Sequence, residues 1–183
     1  MGLKILTDEN NRYKFDFTKS KYVIEFHDLA NKMKLNDVDF ITEYNDNIIF
    51  LEYKNANIKN AVNPNAFVDK IKKEPEKFYK NIAKKYYDSL MMFWAVGGNK
   101  DDFPIIFILL IEAPIMDAKI RKQLKLKIGK QLPLNLKEDV IVREMLSKFE
   151  VFSIDEWKER FKEINIEEIQ FGNMMKYMRC LLK

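Results

Sequence analysis

Residues 38–54 read VDFITEYNDNIIFLEYK, and the rest of the chain is interpreted around this stretch because it carries the pattern of a β-hairpin. Two runs that alternate apolar and polar residues flank Asn45, Asp46 and Asn47. Asn and Asp tolerate the positive φ angles that tight turns require. The stretch therefore predicts two antiparallel strands joined by a short turn.

The position of the turn decides which charged side chains of the hairpin meet. Side chains repeat every second residue along a strand, and directly opposed residues of an antiparallel pair share a face. A two-residue turn at 46–47 places Asp39 opposite Lys54, and one at 45–46 places Asp39 opposite Glu52. Either register brings the three side chains together, whereas a three-residue turn would separate Asp39 from the other two.

Two carboxylates and an ammonium that project together suit divalent-metal chemistry on phosphodiesters. Mg²⁺ takes hard oxygen ligands, one or two of them carboxylates, and keeps several waters. The metal lowers the pKa of a bound water, and a nearby lysine can orient that water or stabilise charge on the phosphate. The alternative to a metal site is an ordinary cross-strand ion pair.

Glu52→Ala leaves Lys54 beside a single carboxylate, so we expect this change to be neutral or slightly stabilising without metal.

The order of these charged residues resembles the motif of the PD-(D/E)XK phosphodiesterase superfamily, the restriction-endonuclease-like nucleases. Its motif is an acidic residue on one strand and Glu/Asp-x-Lys on the next. Asp39 takes the first place, and residues 52–54 form the tripeptide, although the proline that usually precedes the first acid is absent. The tripeptide also occurs at 117–119 and 156–158, but both stretches have the pattern of helices.

The resemblance covers residues 18–115 and implies a fold and a function. The fold is an α/β sandwich in which helices flank a central mixed sheet, within a single domain of residues 1–183. Residues 116–183 would add helices and short strands. The function is a nuclease that uses Mg²⁺ or Mn²⁺ to hydrolyse phosphodiester bonds, in DNA. Asp39 and Glu52 would bind the metal, Lys54 would position the water, and Glu25 would be an additional catalytic acid.

Two other functions remain open at this point. One is a catalytically inactive protein of the nuclease fold that serves as a nucleic-acid-binding or assembly module. The other is a small structural protein whose hairpin charges only form ion pairs. Metal affinity separates the first of these from a nuclease, because a nuclease should bind Mg²⁺ or Mn²⁺ through its two carboxylates.

Length and composition set broad limits. A chain of 183 residues with 47% hydrophobic residues is long enough to bury a core. The net charge of +4 is weak evidence for a nucleic-acid partner, and the single cysteine excludes an internal disulfide. The longest apolar run, residues 105–111, is too short to span a bilayer. We therefore expect a cytoplasmic protein without a membrane partner.

The stretch before the hairpin contains further candidate residues. Residues 18–33 fit a helix capped by Thr18, although Val23 and Ile24 favour a strand. In the resembled family, a helix at this position often carries an acid that faces the metal, and this is why Glu25 is chosen. His27, the only histidine, lies either at the surface or against a phosphate or a water.

Two basic helices are predicted after the hairpin. The first runs from Pro75 to about residue 96, with an inward stripe at 78, 82, 86, 90 and 93. The second lies within residues 116–133 and has no acid after Asp117. Each presents lysines either to a nucleic-acid backbone or only to water, and a membrane surface is a further alternative for the second. The candidate nucleic-acid-binding residues are Lys77, Lys80, Lys84, Lys122, Lys125 and Lys127.

The remaining patterns predict a central strand and a short C-terminal series of elements. Residues 103–112 form a continuous apolar run, which indicates a strand covered on both faces. Short strands are expected at 140–142 and 149–152, and Ser153 opens a helix through a capping box with Glu156. The Met-rich stretch after residue 170 closes the core or forms a homodimer contact.

Overall fold

The computed structural model describes residues 4–8, 10–56, 66–113, 116–136 and 138–169. Its strands are β1 (Ile5–Thr7), β2 (Tyr13–Asp16), β3 (Val23–Ile24), β4 (Phe40–Tyr44), β5 (Asn47–Asn55), β6 (Ile105–Glu112), β7 (Lys148–Phe152) and β8 (Asn165–Glu168). Its helices are α1 (His27–Met33), α2 (Ala66–Lys73), α3 (Pro75–Ala95), α4 (Ala118–Gly129) and α5 (Ile154–Arg160).

The predicted hairpin is formed by β4 and β5. Tyr44 pairs with Asn47, so the turn consists of Asn45 and Asp46. Their φ angles are 49° and 54°, in the left-handed region that Asn and Asp tolerate better than most residues. The hairpin prediction is confirmed, and the turn is the second of the two-residue turns considered, which excludes the three-residue turn.

The hairpin belongs to a five-stranded mixed sheet with the order β3-β4-β5-β6-β7. β3, β4 and β5 are antiparallel, whereas β5, β6 and β7 are parallel. β6 lies between two strands, as its continuous apolar sequence predicts, and most of its residues are buried. The chain is therefore an α/β protein whose mixed sheet is flanked by helices, which confirms the predicted class.

Helices α1, α3 and α4 cover one face of this sheet. The inward stripe predicted for α3 is buried, and the Phe50 ring lies edge-on to those of Tyr86 and Phe93. In α4, Leu124 and Ile128 are buried in the same core. Both helices are thus predicted correctly, because an apolar residue every third or fourth position marks the face that must leave water.

The other face of the sheet is covered by α5 and by a second sheet of order β1-β2-β8. Phe15 and Ile166 of this second sheet are fully buried against side chains from β5 and β6. The capping box of Ser153 and Glu156 is present and opens α5, as predicted. Of this second sheet the sequence predicts only one short strand, at residues 3–6, because strands of three or four residues carry few pattern positions.

The predicted helix over residues 18–33 is wrong in its first half. Thr18 caps no helix, and Val23 and Ile24 form β3, which pairs with β4 at Thr42 and Ile41. Only residues 27–33 are helical. The β-branched pair therefore follows its strand preference, since the edge of β4 offers a ladder that it can join.

One further prediction is wrong, and one helix was not predicted. The expected strand at 140–142 is not formed, and Val140 and Val142 are 88% and 91% exposed. An apolar β-branched run without a neighbouring strand has no ladder to join. The connection after β5 also contains α2, which was not predicted.

Some predictions concern residues outside the described part of the chain. The Met-rich stretch after residue 170, with the homodimer contact proposed for it, is one of them. Among the helices that the structure describes, none is long and apolar enough to cross a membrane.

Candidate functional site

The register of the hairpin places two carboxylates on one face of the sheet. Phe40 pairs with Leu51, and continuing this register sets Asp39 opposite Glu52. The Glu52 side chain is completely buried, which is costly for a carboxylate without partner charges. Its Oε1 lies 2.5 Å from the Nζ of Lys54, so the structure brings the three predicted residues together.

A second lysine, which the sequence analysis missed, completes this charge cluster. The Nζ of Lys85, on α3, lies 2.9 Å from Oε1 and 3.0 Å from Oε2 of Glu52. Lys85 follows Ile82 by three residues and Phe78 by seven, which puts it on the buried stripe of the helix. That spacing is the signal that could have separated it from the neighbouring exposed lysines.

Asp39 is held at the start of β4 in an environment that disfavours its charge. Its Oδ2 accepts a hydrogen bond of 2.6 Å from the backbone N–H of Tyr53. Burial, together with the negative charge of Glu52, raises the pKa of Asp39 to about 7, against the opposing effects of Lys54 and Lys85. Asp39 therefore changes its charge near neutral pH.

This raised pKa predicts how stability depends on pH in metal-free buffer. Between its ordinary pKa and about 7, Asp39 keeps its proton in the folded protein and loses it in the unfolded chain. Folding is therefore opposed increasingly as the pH rises through this range, and the full penalty is present above pH 7. We expect Asp39→Asn to raise the free energy of unfolding by about 1–3 kcal/mol at pH 8 and by much less at pH 5.

Urea unfolding with EDTA at the two pH values measures this difference. Asn keeps an acceptor oxygen for the N–H of Tyr53, so the variant removes the charge and not the hydrogen bond. The exposed Asp155, on α5, supplies a control, because Asp155→Asn should change stability little and equally at both values. A gain from Asp39→Asn that does not depend on pH would contradict the prediction.

The cluster borders a cleft of about 520 Å³ at one end of the sheet. Glu25 lines this cleft from the connection between β3 and α1, and not from the predicted helix. Burial raises the pKa of Glu25, His27 counteracts this, and Asp37 adds to it. The described residues that line it are Thr7, Asp8, Asn10, Asn11, Glu25, His27, Asp37, Asp39, Phe40, Tyr53, Lys54 and Asn55.

Asp37 is a second cleft residue that the sequence analysis missed. Its Oδ2 lies 3.8 Å from Nδ1 of His27, and burial raises its pKa. Helix α3 holds the segment around it, because Asp88 accepts a hydrogen bond from the N–H of Asn36 and Ser89 accepts one from that of Val38. The same helix that supplies Lys85 thus positions the start of β4.

The candidate nucleic-acid-binding lysines lie outside this cluster. Lys77 and Lys84 pair with Glu74 and Asp88, at 2.7 and 2.5 Å, on the outward face of α3. Lys80 on that helix and Lys122 and Lys127 on α4 are exposed. Lys125 differs from its neighbours, because its Nζ contacts Glu150 of β7 at 2.7 Å. A role in DNA binding stays a prediction for all six.

The donor chemistry of the site fits Mg²⁺ or Mn²⁺ only as a site with few protein ligands. Within the described residues, no group of three or more His, Cys, Asp and Glu side chains is arranged to hold a metal ion. Asp39 and Glu52 can supply two carboxylates, and Mg²⁺ commonly takes one or two and completes its shell with water. A cation there would share Glu52 with two ammonium groups.

Comparisons of the chain with protein-family models, with curated proteins and with solved structures found no match.

Proposed function

We propose that the chain is a restriction-endonuclease-like nuclease that hydrolyses phosphodiester bonds, in DNA, with the help of Mg²⁺ or Mn²⁺. One observation carries the proposal: Asp39 and Glu52 are opposed on a hairpin, with the Lys54 ammonium 2.5 Å from Glu52, beside an open cleft. The order and spacing of these residues resemble the PD-(D/E)XK motif. An ordinary surface ion pair does not explain a completely buried carboxylate.

The charge of the cleft supports a requirement for a cation. Among the described residues that line it, Asp8, Glu25, Asp37 and Asp39 are acidic, and Lys54 and His27 are the basic ones. A phosphodiester would therefore be repelled by the walls unless a cation neutralised part of their charge. The Oδ1 of Asp8 already accepts the N–H groups of Arg12 and Tyr13 at 2.6 and 2.7 Å, so this carboxylate could offer a cation only its Oδ2.

The proposed roles follow from these positions. Asp39 and Glu52 would hold the ion, which when bound lowers the pKa of a water and offsets charge on the phosphate. Lys54 lines the cleft, where its ammonium would orient the water or stabilise the negative charge that develops on the phosphate. The N–H of Tyr53 keeps Asp39 aligned, and Glu25 lines the same cleft from the connection between β3 and α1.

A second candidate function is a catalytically inactive module of the same fold that binds nucleic acid or takes part in an assembly. The observation that favours it is the double pairing of Glu52 with Lys54 and Lys85. Two ammonium groups already neutralise the two carboxylates of the cluster, so the cluster is balanced without a cation. In such a module, the exposed lysines of α4 would contact the backbone, since α4 contains no acidic residue.

The experiment that tests the proposal is a cleavage screen on single-stranded, duplex and branched DNA. We expect the wild type to cut at least one of these substrates with Mg²⁺ or Mn²⁺, and to cut none of them with EDTA. Asp39→Asn should be inactive under all conditions, because it removes one charge of the proposed cation site. Asp155→Asn, with the same change on the exposed side of α5, should cut as the wild type does.

Binding measured in parallel separates the two candidates. Binding that weakens with salt but never leads to cleavage would favour the inactive module, because salt dependence reports neutralised phosphates. A screen that shows no cleavage and no salt-dependent binding would exclude both the nuclease and the nucleic-acid-binding module. An assembly role for the fold would then remain.

A further inference from the structure

The contact between Lys85 and Glu52 supports a further inference, which rests on the proposed cation site. Both oxygens of the buried carboxylate face the Nζ of Lys85, at 2.9 and 3.0 Å. The Lys85 side chain is itself only 25% exposed. One ammonium thus lies against both oxygens of a carboxylate that is proposed to bind a divalent ion.

Helix α3 keeps Lys85 at this position. One turn further along, Ser89 is completely buried and accepts the N–H of Val38, while Asp88 accepts the N–H of Asn36. These contacts fasten the helix to the segment that leads into β4. The backbone of Lys85 is therefore fixed, and only its side chain can move away from Glu52.

The charges of the cluster show what this arrangement does to a divalent ion. Asp39 and Glu52 carry two negative charges when ionised, and Lys54 and Lys85 carry two positive ones. A divalent ion at Glu52 would make the cluster strongly positive, and like charges repel strongly at these distances in a buried site. A phosphodiester brings negative charge and reduces that repulsion.

We propose that Lys85 is a built-in counter-cation that competes with the divalent ion for Glu52, so that the ion binds tightly only together with the phosphodiester. Lys85 acts through Glu52 and is a positioning residue. In the absence of substrate it keeps the buried carboxylate neutralised. When ion and phosphate arrive together, the ammonium gives up its contact with Glu52.

Mn²⁺ titrations by calorimetry, without DNA, test the competition. Lys85→Met should bind Mn²⁺ at least about tenfold more tightly than the wild type, because it removes one of two competing charges. Lys85→Arg should bind as weakly as the wild type, since guanidinium keeps the charge and can contact both carboxylate oxygens. Lys158→Met, an exposed change on α5, is the matched control and should have no effect.

Thermal unfolding gives a second readout that does not depend on activity. In EDTA, Lys85→Met should melt below the wild type, because Glu52 keeps only Lys54 as a partner. On addition of Mn²⁺ the same variant should gain more stability than the wild type. If Lys85→Met does not fold, Lys85→Gln replaces it in both experiments, because the amide removes the charge but can still donate to Glu52.

The outcomes separate this inference from the proposed function. Equal or weaker Mn²⁺ binding by the neutral variants would overturn the competition and leave the cation site in place. No Mn²⁺ binding by any variant, with or without a short DNA duplex, would overturn the cation site and the competition together. Tighter Mn²⁺ binding by the neutral variants than by the wild type would support both the cation site and the competition, provided that this difference in affinity shrinks when the duplex is present.

Discussion

Replacing Lys54 by Met is expected to lower the rate of DNA cleavage at least about 100-fold while the divalent ion still binds. The carboxylates of Asp39 and Glu52 hold the proposed ion, whereas the ammonium acts on the water or on the developing phosphate charge. Loss of the ammonium therefore removes stabilisation of the transition state and not the ligands of the ion. Lys54 also contacts Glu52 at 2.5 Å, so its removal should leave the affinity for the ion equal or higher.

Single-turnover cleavage and Mn²⁺ calorimetry on the same preparation measure the two effects. Lys158→Met is the matched control, because the exposed Lys158 ends a tripeptide of the same type, Glu156-Trp157-Lys158, on α5. It should cut at the rate of the wild type. An active Lys54→Met protein would remove Lys54 from the mechanism, and a variant that lost Mn²⁺ binding would make Lys54 a structural residue.

Glu52→Ala is expected to lower the free energy of unfolding by about 3 kcal/mol in metal-free buffer. The change deletes a completely buried carboxylate and leaves two lysines, 30% and 25% exposed, without the side chain that both of them contact. The sequence alone, with one lysine beside two carboxylates, predicts that the same variant is neutral or slightly stabilising. The contact of Lys85 is the reason for the changed expectation.

A second carboxylate with two lysine partners provides the comparison for this measurement. Glu150 contacts Lys125 at 2.7 Å and Lys148 at 3.0 Å, but its side chain is 14% exposed and both lysines are 44% exposed. Glu150→Ala should therefore cost less, about 1 kcal/mol, because water solvates the lysines that remain. Urea unfolding with EDTA compares the two variants. Equal losses would mean that the burial of Glu52 does not matter, and a stable Glu52→Ala protein would restore the expectation from the sequence.

The raised pKa of Asp39 links these two predictions to the cleft. Burial and the neighbouring carboxylate bring the pKa of Asp39 to about 7. A cation that binds beside this carboxyl group would therefore favour loss of its proton. The two carboxylates are opposed by the register of the hairpin, and the lysines come from β5 and from α3. The site is thus built on a rigid sheet and one long helix, and not on loops alone.

The local patterns of the sequence determined the elements that carry the site. The alternation around Asn45 and Asp46 predicts the hairpin, and either two-residue turn places Asp39 near Glu52 and Lys54, whereas a three-residue turn would not. The stripe of α3 and the apolar run of β6 are equally local, because each reports which side of an element must leave water. These features were predictable from residues that lie close together in the chain.

The tertiary structure alone decided which partners these elements meet. Lys85 stands 33 positions from Glu52, and nothing within the lysine-rich stretch of α3 says that its ammonium reaches a carboxylate on β5. Val23 and Ile24 became a strand only because the edge of β4 lies beside them. Periodicity shows which face of an element is buried, but the charge or hydrogen-bond partner on that face depends on packing between residues distant in the chain. Because of this packing, the buried cluster contains two lysines and not only the one that the hairpin supplies.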